Sequence, residues 1–362
     1  MAEIPRIIAY YLPQFHPIEE NNKWWGNGFT EWTNVAKSKP LFKGHRQPNI
    51  PADLGFYDLR LPESREAQAD LAKEYGIEGF CYWYYWFGNG KRLLDRPLNE
   101  VAKSGSPNFP FCIGWANHSW TTKTWTNSTM HRSMIMEQLY LGQQSYEKFF
   151  YEVLPLFKDK RYISVNNKPI FVVFDPLSVP DMPSFLELWR KLAIENGLDG
   201  IYFVGYVAFP KTKDRILDYG FDAVNIVPIQ SLITENYSTN RFFKKILKEV
   251  FRIPYRLSYK KAIRKIDSEI FESVKYIPSI IPNYDDTPRR GYNGFILSNS
   301  TPYEFGIHVQ QVINHVNKKP HQERLIFVKS WNEWGEGNYL EPDLYYGRAY
   351  LEQIREKLLV KE

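Results

Sequence analysis

Residues 325–337, Leu-Ile-Phe-Val-Lys-Ser-Trp-Asn-Glu-Trp-Gly-Glu-Gly, join an apolar, strand-like run to a polar and aromatic end. Acids beside indole rings cost free energy unless they are paired or used, so packing does not explain Glu333 and Glu336. Gly335 and Gly337 allow a turn that would point both carboxyl groups the same way. The stretch therefore predicts a buried strand that ends in two functional carboxylates, which could flank one sugar bond.

Seven more apolar runs of strand length precede this one, and helical patterns separate them. Near-continuous apolar strands that alternate with helices indicate a parallel sheet buried on both faces. Eight such units in 362 residues predict an α/β fold, a closed (β/α)8 TIM barrel. A doubly wound open sheet is the second choice, but no Gly-x-Gly-x-x-Gly follows an early strand. The expected strands are 7–14, 78–87, 109–117, 169–175, 200–207, 221–228, 276–283 and 325–331.

The helical patterns between the strands support this count. Thr301, Pro302 and Glu304 combine a cap, a first-turn proline and a capping-box acid. Helices are expected over 62–75, 144–157, 182–196, 302–316 and 344–359. Because no repeat or low-complexity linker is visible, we expect one catalytic domain over 1–362, with long βα loops and a basic helical insertion at about 235–273.

Composition narrows the class of protein. Aromatic residues make 17% of the chain, with 11 Trp and 25 Tyr, and such residues offer flat apolar faces that suit sugar rings. No signal peptide or spanning segment is predicted, since the early apolar run 7–12 is short and Pro13 interrupts it. Cys81 and Cys112 lie in predicted strands and are expected to be free buried thiols. Together these features predict a cytoplasmic protein.

The net charge of +5 does not by itself indicate a nucleic-acid partner, and none is expected. Basic residues are concentrated in 241–265, where they alternate with apolar residues at helical spacing. The simplest interpretation is a solvated helix face on the insertion. The alternative is peripheral membrane contact or contact with an anionic partner through 241–265.

Polar and aromatic residues also collect at the ends of the other predicted strands and in long loops. A loop of nearly fifty residues follows the first strand and another follows the third, and long loops at the carboxyl ends of barrel strands carry active sites. We expect a polar pocket with aromatic walls. The candidate substrate-binding residues are Tyr11, Gln14, His16, Trp32, Tyr82, Trp83, Tyr85, Trp115, Asn117, His118, Asp175, Asn283, Asp285, Trp331 and Asn332.

Other site chemistries have weaker support. The seven histidines show no zinc-ligand spacing, and Asp285 with Asp286 gives only a weak calcium motif. No Gly-x-Ser-x-Gly elbow and no phosphate loop occur, which disfavours serine hydrolases and P-loop enzymes but leaves sugar-nucleotide transferases open. No metal or cofactor is expected.

Four motifs carry a family resemblance: 8–17 (IAYYLPQFHP), 28–32 (GFTEW), 79–84 (GFCYWY) and 331–337 (WNEWGEG). Together they resemble the WbsX-like family, which is labelled as glycosyltransferases of lipopolysaccharide O-antigen biosynthesis. That family is similar to the family-99 glycoside hydrolases of endo-alpha-mannosidase type. The resemblance to the WbsX group spans nearly the whole chain.

The resemblance implies roles for the two carboxylates. Glu336 would protonate the departing glycosidic oxygen, and Glu333 would help the sugar 2-hydroxyl to attack the anomeric carbon, giving an anhydro-sugar and overall retention. The residues alone do not separate this route from the ordinary one, in which a carboxylate bonds to the sugar. Gly335 stands where the mannosidases usually have a histidine, which alters the pocket wall, so the resemblance leaves the substrate open.

Three functions stay open from the sequence. The first is a retaining glycosidase that acts on a bacterial polysaccharide or oligosaccharide. The second is a glycosyltransferase in O-antigen assembly, and the third is a non-catalytic carbohydrate-binding barrel that uses the aromatic residues alone.

Overall fold

Eight parallel strands close into a barrel in a computed structural model that describes residues 4–125, 133–238, 248–270, 273 and 275–359. Each strand pairs with its neighbours in chain order, and the last pairs with the first, for example Arg6 with Leu325. The prediction of a (β/α)8 barrel is therefore confirmed. The strands are Arg6–Tyr11 (β1), Gly79–Trp86 (β2), Phe111–Trp115 (β3), Lys168–Val173 (β4), Tyr202–Val207 (β5), Ala223–Ile226 (β6), Tyr276–Ile280 (β7) and Leu325–Val328 (β8).

Helices surround the barrel. Those of the described residues are Glu19–Trp25 (α1), Glu31–Lys37 (α2), Pro62–Glu74 (α3), Arg96–Ser104 (α4), Gln143–Phe157 (α5), Met182–Glu195 (α6), Lys213–Asp218 (α7), Ile229–Ser238 (α8), Tyr259–Ile270 (α9), Thr287–Arg290 (α10), Pro302–Val316 (α11) and Ala349–Leu359 (α12). The Thr301 side chain accepts a hydrogen bond from the Glu304 amide at 3.3 Å, so the predicted cap of α11 is confirmed. The last helix begins five residues later than expected, since 344–348 form a turn region.

Several shorter strands lie outside the barrel. Tyr255–Ser258 runs parallel to Phe295–Ser298. The other short strands are Arg92–Leu93, Trp120–Thr121, Met134–Met136, Ser164–Val165, Asn332–Glu333 and Asn338–Tyr339.

The barrel interior is a packed core that combines aromatic and polar side chains. Tyr10 stacks on Trp83 with ring centroids 4.6 Å apart, and its hydroxyl donates to Asn225 at 2.8 Å. Asn225 in turn donates to Ser279 at 2.9 Å, so these buried polar groups satisfy one another. A Cβ at Gly114 would come within 3.0 Å of the Trp83 ring, which explains the glycine on β3. This layer is the floor beneath the carboxyl ends of the strands.

The basic segment does not form one helix. Residues 241–247 lie outside the described part of the chain, and an extended strand, Tyr255–Ser258, interrupts the helical spacing before α9. Pro254, which precedes that strand, favours extended geometry over helix. On α9, Lys265 forms an ion pair with Glu235, so part of its positive charge is compensated within the protein.

Both cysteines are buried and free, as expected, and they face each other as register partners on β2 and β3. Among the described residues, no helix is long and apolar enough to cross a membrane.

Candidate active site

A tight hairpin after β8 positions the two glutamates. Asn332–Glu333 pairs antiparallel with Asn338–Tyr339, and a short turn with 3-10 geometry joins them. Gly337 has φ of 49°, in the left-handed region, and a Cβ there would approach the Asp285 backbone at 2.8 Å. The hairpin brings Glu333 and Glu336 to the same cations, so the predicted turn at the glycines is present.

Two cations, the buried Arg289 and the partly buried Lys329, bind the carboxyl groups. Lys329 Nζ lies 3.0 Å from Glu336 Oε2 and 3.5 Å from Glu333 Oε2. Arg289 Nη1 lies 2.7 Å from Glu336 Oε1 and 3.9 Å from Glu333 Oε2. Arg289 also donates to the fully buried Glu31 from Nε at 2.9 Å. We call these five residues the charge cluster.

The charge cluster holds three carboxyl groups and two cations, so one proton makes it neutral. Burial and the charge of Glu336 raise the pKa of Glu333 to about 7. Burial also opposes ionisation of Glu336, but attraction to Lys329 and Arg289 outweighs it and holds the pKa of Glu336 well below its ordinary value. Below about pH 7, Glu333 is therefore the carboxyl group of the pair that holds the proton, and Glu336 is the anion.

The glycine at 335 is explained by the same cluster. A Cβ at this position would collide with the Glu31 carboxylate and approach Arg289 Nε at 2.8 Å. The Glu31–Arg289 ion pair thus occupies the space in which a side chain at 335 would lie. A bulky residue there would require this buried pair to move.

Aromatic residues surround the charge cluster. Burial raises the pKa of Tyr85, and the charge of Glu333 raises it further. Burial and the charge of Glu333 also raise the pKa of Tyr206. The ring centroid of Trp83, deeper in the barrel than Tyr85 on the same strand, lies 6.0 Å from that of Tyr206. Tyr85 packs against His118 at 6.3 Å. Of the predicted aromatic residues, Trp83 and Tyr85 are therefore directed into the barrel mouth.

Several residues predicted to bind substrate form hydrogen bonds that hold the hairpin in place. Asn332 accepts from the Leu12 amide at 2.7 Å, and Asn283 accepts from the Tyr339 amide at 3.0 Å. Asp285 donates its amide to the Glu336 carbonyl at 2.7 Å. These contacts fasten the hairpin to the ends of β1 and β7.

Other predicted residues follow the carboxyl ends of β1, β3 and β4. Asn117 bonds the amide and carbonyl of Asp175 at 2.7 and 2.8 Å. Burial lowers the pKa of His16 and of His118 to about 4. Gln14 is completely buried, and its amide has no partner among the described residues.

Four predicted pocket residues face the other way. The Tyr11 hydroxyl donates to Gln68 on α3 at 2.7 Å, and the Tyr82 ring lies beside it. Trp115 packs 5.2 Å from Phe149 on α5, and Trp331 packs 5.1 Å from Phe80. The expectation that Tyr11, Tyr82, Trp115 and Trp331 line the pocket is corrected, because their side chains fill the layer between strands and helices.

A buried acid supports the hairpin from behind. Glu341 accepts from Trp334 Nε1 at 2.6 Å, from Gln68 at 2.6 Å and from the Tyr57 hydroxyl at 2.9 Å. Burial raises the pKa of Glu341 to about 7. Trp32, another predicted residue, packs 5.5 Å from Trp334 and donates to the Tyr57 carbonyl. The indole of Trp334 therefore anchors the hairpin.

Lys329, Arg289 and Glu31 are the members of the site that the pocket prediction did not include. The sequence did carry a signal for Lys329, because this charged residue directly follows the apolar run 325–328. Arg289 had no local signal, since its partner Glu31 is 258 residues away.

The acids proposed as a weak calcium motif have protein partners. Asp285 Oδ2 lies 2.8 Å from His45 Nε2 and accepts from Gln47, and Asp286 pairs with Arg290 at 2.9 Å. Among the described residues, no group of three or more His, Cys, Asp or Glu has the arrangement of a metal site.

The barrel, with the charge cluster at the carboxyl ends of its strands, is similar in fold to solved structures of glycoside hydrolases. It is similar to a glycoside hydrolase-like protein, with a TM-score of 0.59 at 14% identity over 99% of this chain and 95% of that one. It is also similar to the glycoside hydrolase family 99 endo-alpha-mannosidase from Bacteroides thetaiotaomicron in complex with bis-tris-propane, with a TM-score of 0.56 at 17% identity over 98% and 96%. At these identities the likeness shows the fold.

The chain belongs to the family described as Glycosyltransferase WbsX, whose profile matches residues 7–354. It is 32% identical over 364 residues to the uncharacterized protein WxcX of Xanthomonas campestris pv. campestris strain B100. It is 34% identical over 353 residues to WxcX of strain ATCC 33913. Each match covers 97% of this chain and 49% of the relative, so the chain spans about half the length of these curated relatives.

Proposed function

We propose that this protein hydrolyses glycosidic bonds of a bacterial polysaccharide with retention of configuration. The observation that supports this best is a pair of neighbouring carboxyl groups in different surroundings above a barrel floor of aromatic residues: Lys329 and Arg289 lie closer to Glu336, at 3.0 and 2.7 Å, than to Glu333, at 3.5 and 3.9 Å. Pairs of acids whose environments separate their pKa values are typical of glycosidases.

Glu333 is the proposed acid. Its proton passes to the departing glycosidic oxygen as the bond to the anomeric carbon breaks. Glu336, held as a carboxylate by Lys329 and Arg289, either bonds to that carbon or accepts the proton of the 2-hydroxyl so that the 2-oxygen attacks that carbon. Water, deprotonated by the now ionised Glu333, then attacks the same carbon, which restores the proton of Glu333 and either releases the Glu336 carboxylate or returns its proton to the 2-oxygen. The family resemblance assigns the two roles the other way, and the charge distribution is our reason for reversing them.

The spacing of the carboxyl groups supports retention. Glu333 Oε2 lies 3.5 Å and Glu336 Oε2 lies 3.0 Å from one ammonium, Lys329 Nζ, so these two oxygens are at most about 6.5 Å apart. Inverting enzymes keep their carboxyl groups about 6.5–9.5 Å apart to admit a water between them. A closer spacing is typical of retaining enzymes.

The test is incubation of the purified protein with bacterial O-polysaccharides and alpha-mannans, without nucleotide, and mass spectrometry of released oligosaccharides. Glu333→Gln and Glu336→Gln should each lower turnover by about a hundredfold to ten-thousandfold. Glu352→Gln, on the exposed face of α12, is the matched control and should keep full activity. Full activity in both site variants would refute the proposal.

The acid role has its own test. A substrate with a good leaving group, such as an aryl glycoside, needs no proton on the departing oxygen. It should restore most of the bond-breaking rate to Glu333→Gln but not to Glu336→Gln. Rescue of Glu336→Gln alone would return the acid role to Glu336.

The second candidate is a glycosyltransferase, which the description of the family favours. Calorimetry with sugar nucleotides distinguishes it: micromolar binding together with no nucleotide-free hydrolysis would support transfer. Glycan binding that survives in Glu336→Gln, with no product from the wild type, would instead indicate a carbohydrate-binding barrel.

A further inference from the structure

A cleft of about 590 Å³ opens beside the charge cluster. Its lining includes Trp24, Trp25, Phe29, Lys37, Lys39 and Arg289. We call it the lysine cleft. We propose that the lysine cleft binds a carboxylate-bearing sugar residue, a uronic acid, of the glycan that the enzyme cleaves; this rests on the proposed function.

The position of the lysine cleft connects it to the chemistry. Arg289 belongs to its lining and also contacts Glu336 at 2.7 Å. Helix α2 makes a second connection, because Glu31 at its first residue binds Arg289 and Lys37 at its last residue lines the cleft. A sugar in the cleft would therefore be a near neighbour of the bond held at the carboxylates.

The charge of the lysine cleft is unbalanced. Its lining has three cations and no acid, counted over the described residues. Arg289 is already neutralised by Glu31 and Glu336. Lys37 and Lys39 are exposed, and neither has an ion pair or hydrogen bond with a described residue. The free positive charge at the rim is thus that of two lysines, and it favours an anionic ligand.

The form of these cations favours a carboxylate over a phosphate. Phosphate recognition commonly uses an arginine fork or unpaired backbone amides. Here the arginine fork is occupied by carboxylates, and the Thr287 amide at the start of α10 already donates to Asp285 at 3.0 Å. Two lysine ammonium groups remain, and as point charges they bind a carboxylate at the edge of a sugar ring without either of these elements.

Aromatic rings provide the surface for the sugar itself. Trp24 and Trp25 are half-buried, with ring centroids 5.4 Å apart in an edge-to-face arrangement, and Phe29 lies 5.1 Å from Trp25. Rings of this kind present apolar faces that accept the apolar face of a pyranose. The lysine cleft therefore combines a stacking surface with a cationic rim.

The test compares methyl glucuronide with methyl glucoside, which differ in a carboxylate against a hydroxymethyl group. Binding is measured from the ¹⁹F resonances of fluorotryptophan-labelled protein, with the signals of Trp24 and Trp25 assigned from their Phe variants. We expect the glucuronide to shift both signals saturably and to bind at least about fivefold more tightly than the glucoside. Added salt should reduce that preference.

The double variant Lys37→Gln/Lys39→Gln should weaken glucuronide binding about tenfold and leave glucoside binding unchanged, because only the charge is removed. The matched control is Lys103→Gln/Lys158→Gln, which removes two exposed lysines at the C-terminal ends of α4 and α5 and should bind like the wild type.

Three results would overturn the proposal: equal binding of the two sugars, no response of the Trp24 and Trp25 signals, or tighter binding of inorganic phosphate than of the glucuronide. Each assay reads binding and does not require turnover. Cleavage of neutral glycans without a glucuronide preference would refute the lysine cleft alone, whereas glucuronide binding without any hydrolysis would refute the proposed function alone.

Discussion

The location of the shared proton gives the sharpest prediction. In the folded protein the pKa of Glu333 is about 7, against 4.5 for an ordinary glutamate. Because its folded pKa is raised, the wild type loses stability as pH rises from about 4.5 through 7. One pH unit corresponds to about 1.4 kcal/mol, so the loss amounts to about 3 kcal/mol by pH 8.5. The side chain at this position cannot ionise in Glu333→Gln, so this variant should not show that loss of stability.

The measurement is thermal unfolding of the wild type and Glu333→Gln at pH 4.5 and pH 8.5. The entropy of unfolding is about 2.1 cal/mol/K per residue, so about 3 kcal/mol corresponds to about 4 °C in the melting temperature of this chain. The melting temperature of Glu333→Gln should therefore rise by about 4 °C relative to that of the wild type on going to the higher pH. The exposed Glu352→Gln should follow the wild type. A pH-dependent gain in Glu336→Gln, with none in Glu333→Gln, would refute our assignment of the proton.

Three other substitutions test the surroundings of the carboxylates. Lys329→Met removes a cation 3.0 Å from Glu336, so the pKa of Glu336 should rise and the acidic limb of kcat/KM against pH should move to higher pH. Gly335→Ala pushes a methyl group into Glu31 and should destabilise the fold by about 1–3 kcal/mol, measured by urea unfolding. Glu341→Gln replaces one acceptor oxygen by a donor that faces other donors, which should cost about 1–3 kcal/mol in the same assay.

Strand β2 shows why the sequence predicted the barrel better than the pocket. All eight of its residues are buried, because one side faces the barrel interior and the other faces the helices. A strand that is apolar on both sides has no period in its hydrophobicity, so its aromatic residues gave no sign of direction. Trp83 and Tyr85 turned out to face inward, and Tyr82 outward.

The sequence by itself determined the eight strands and the pair of acids at the end of the last one. Both are local: apolar runs between helical patterns define the units, and Glu333 and Glu336 lie three residues apart around a glycine. Only the tertiary structure decided which acid keeps its proton. That choice depends on Lys329 and on Arg289, which a different loop brings to within 2.7 Å of Glu336, and on burial that no local pattern expresses.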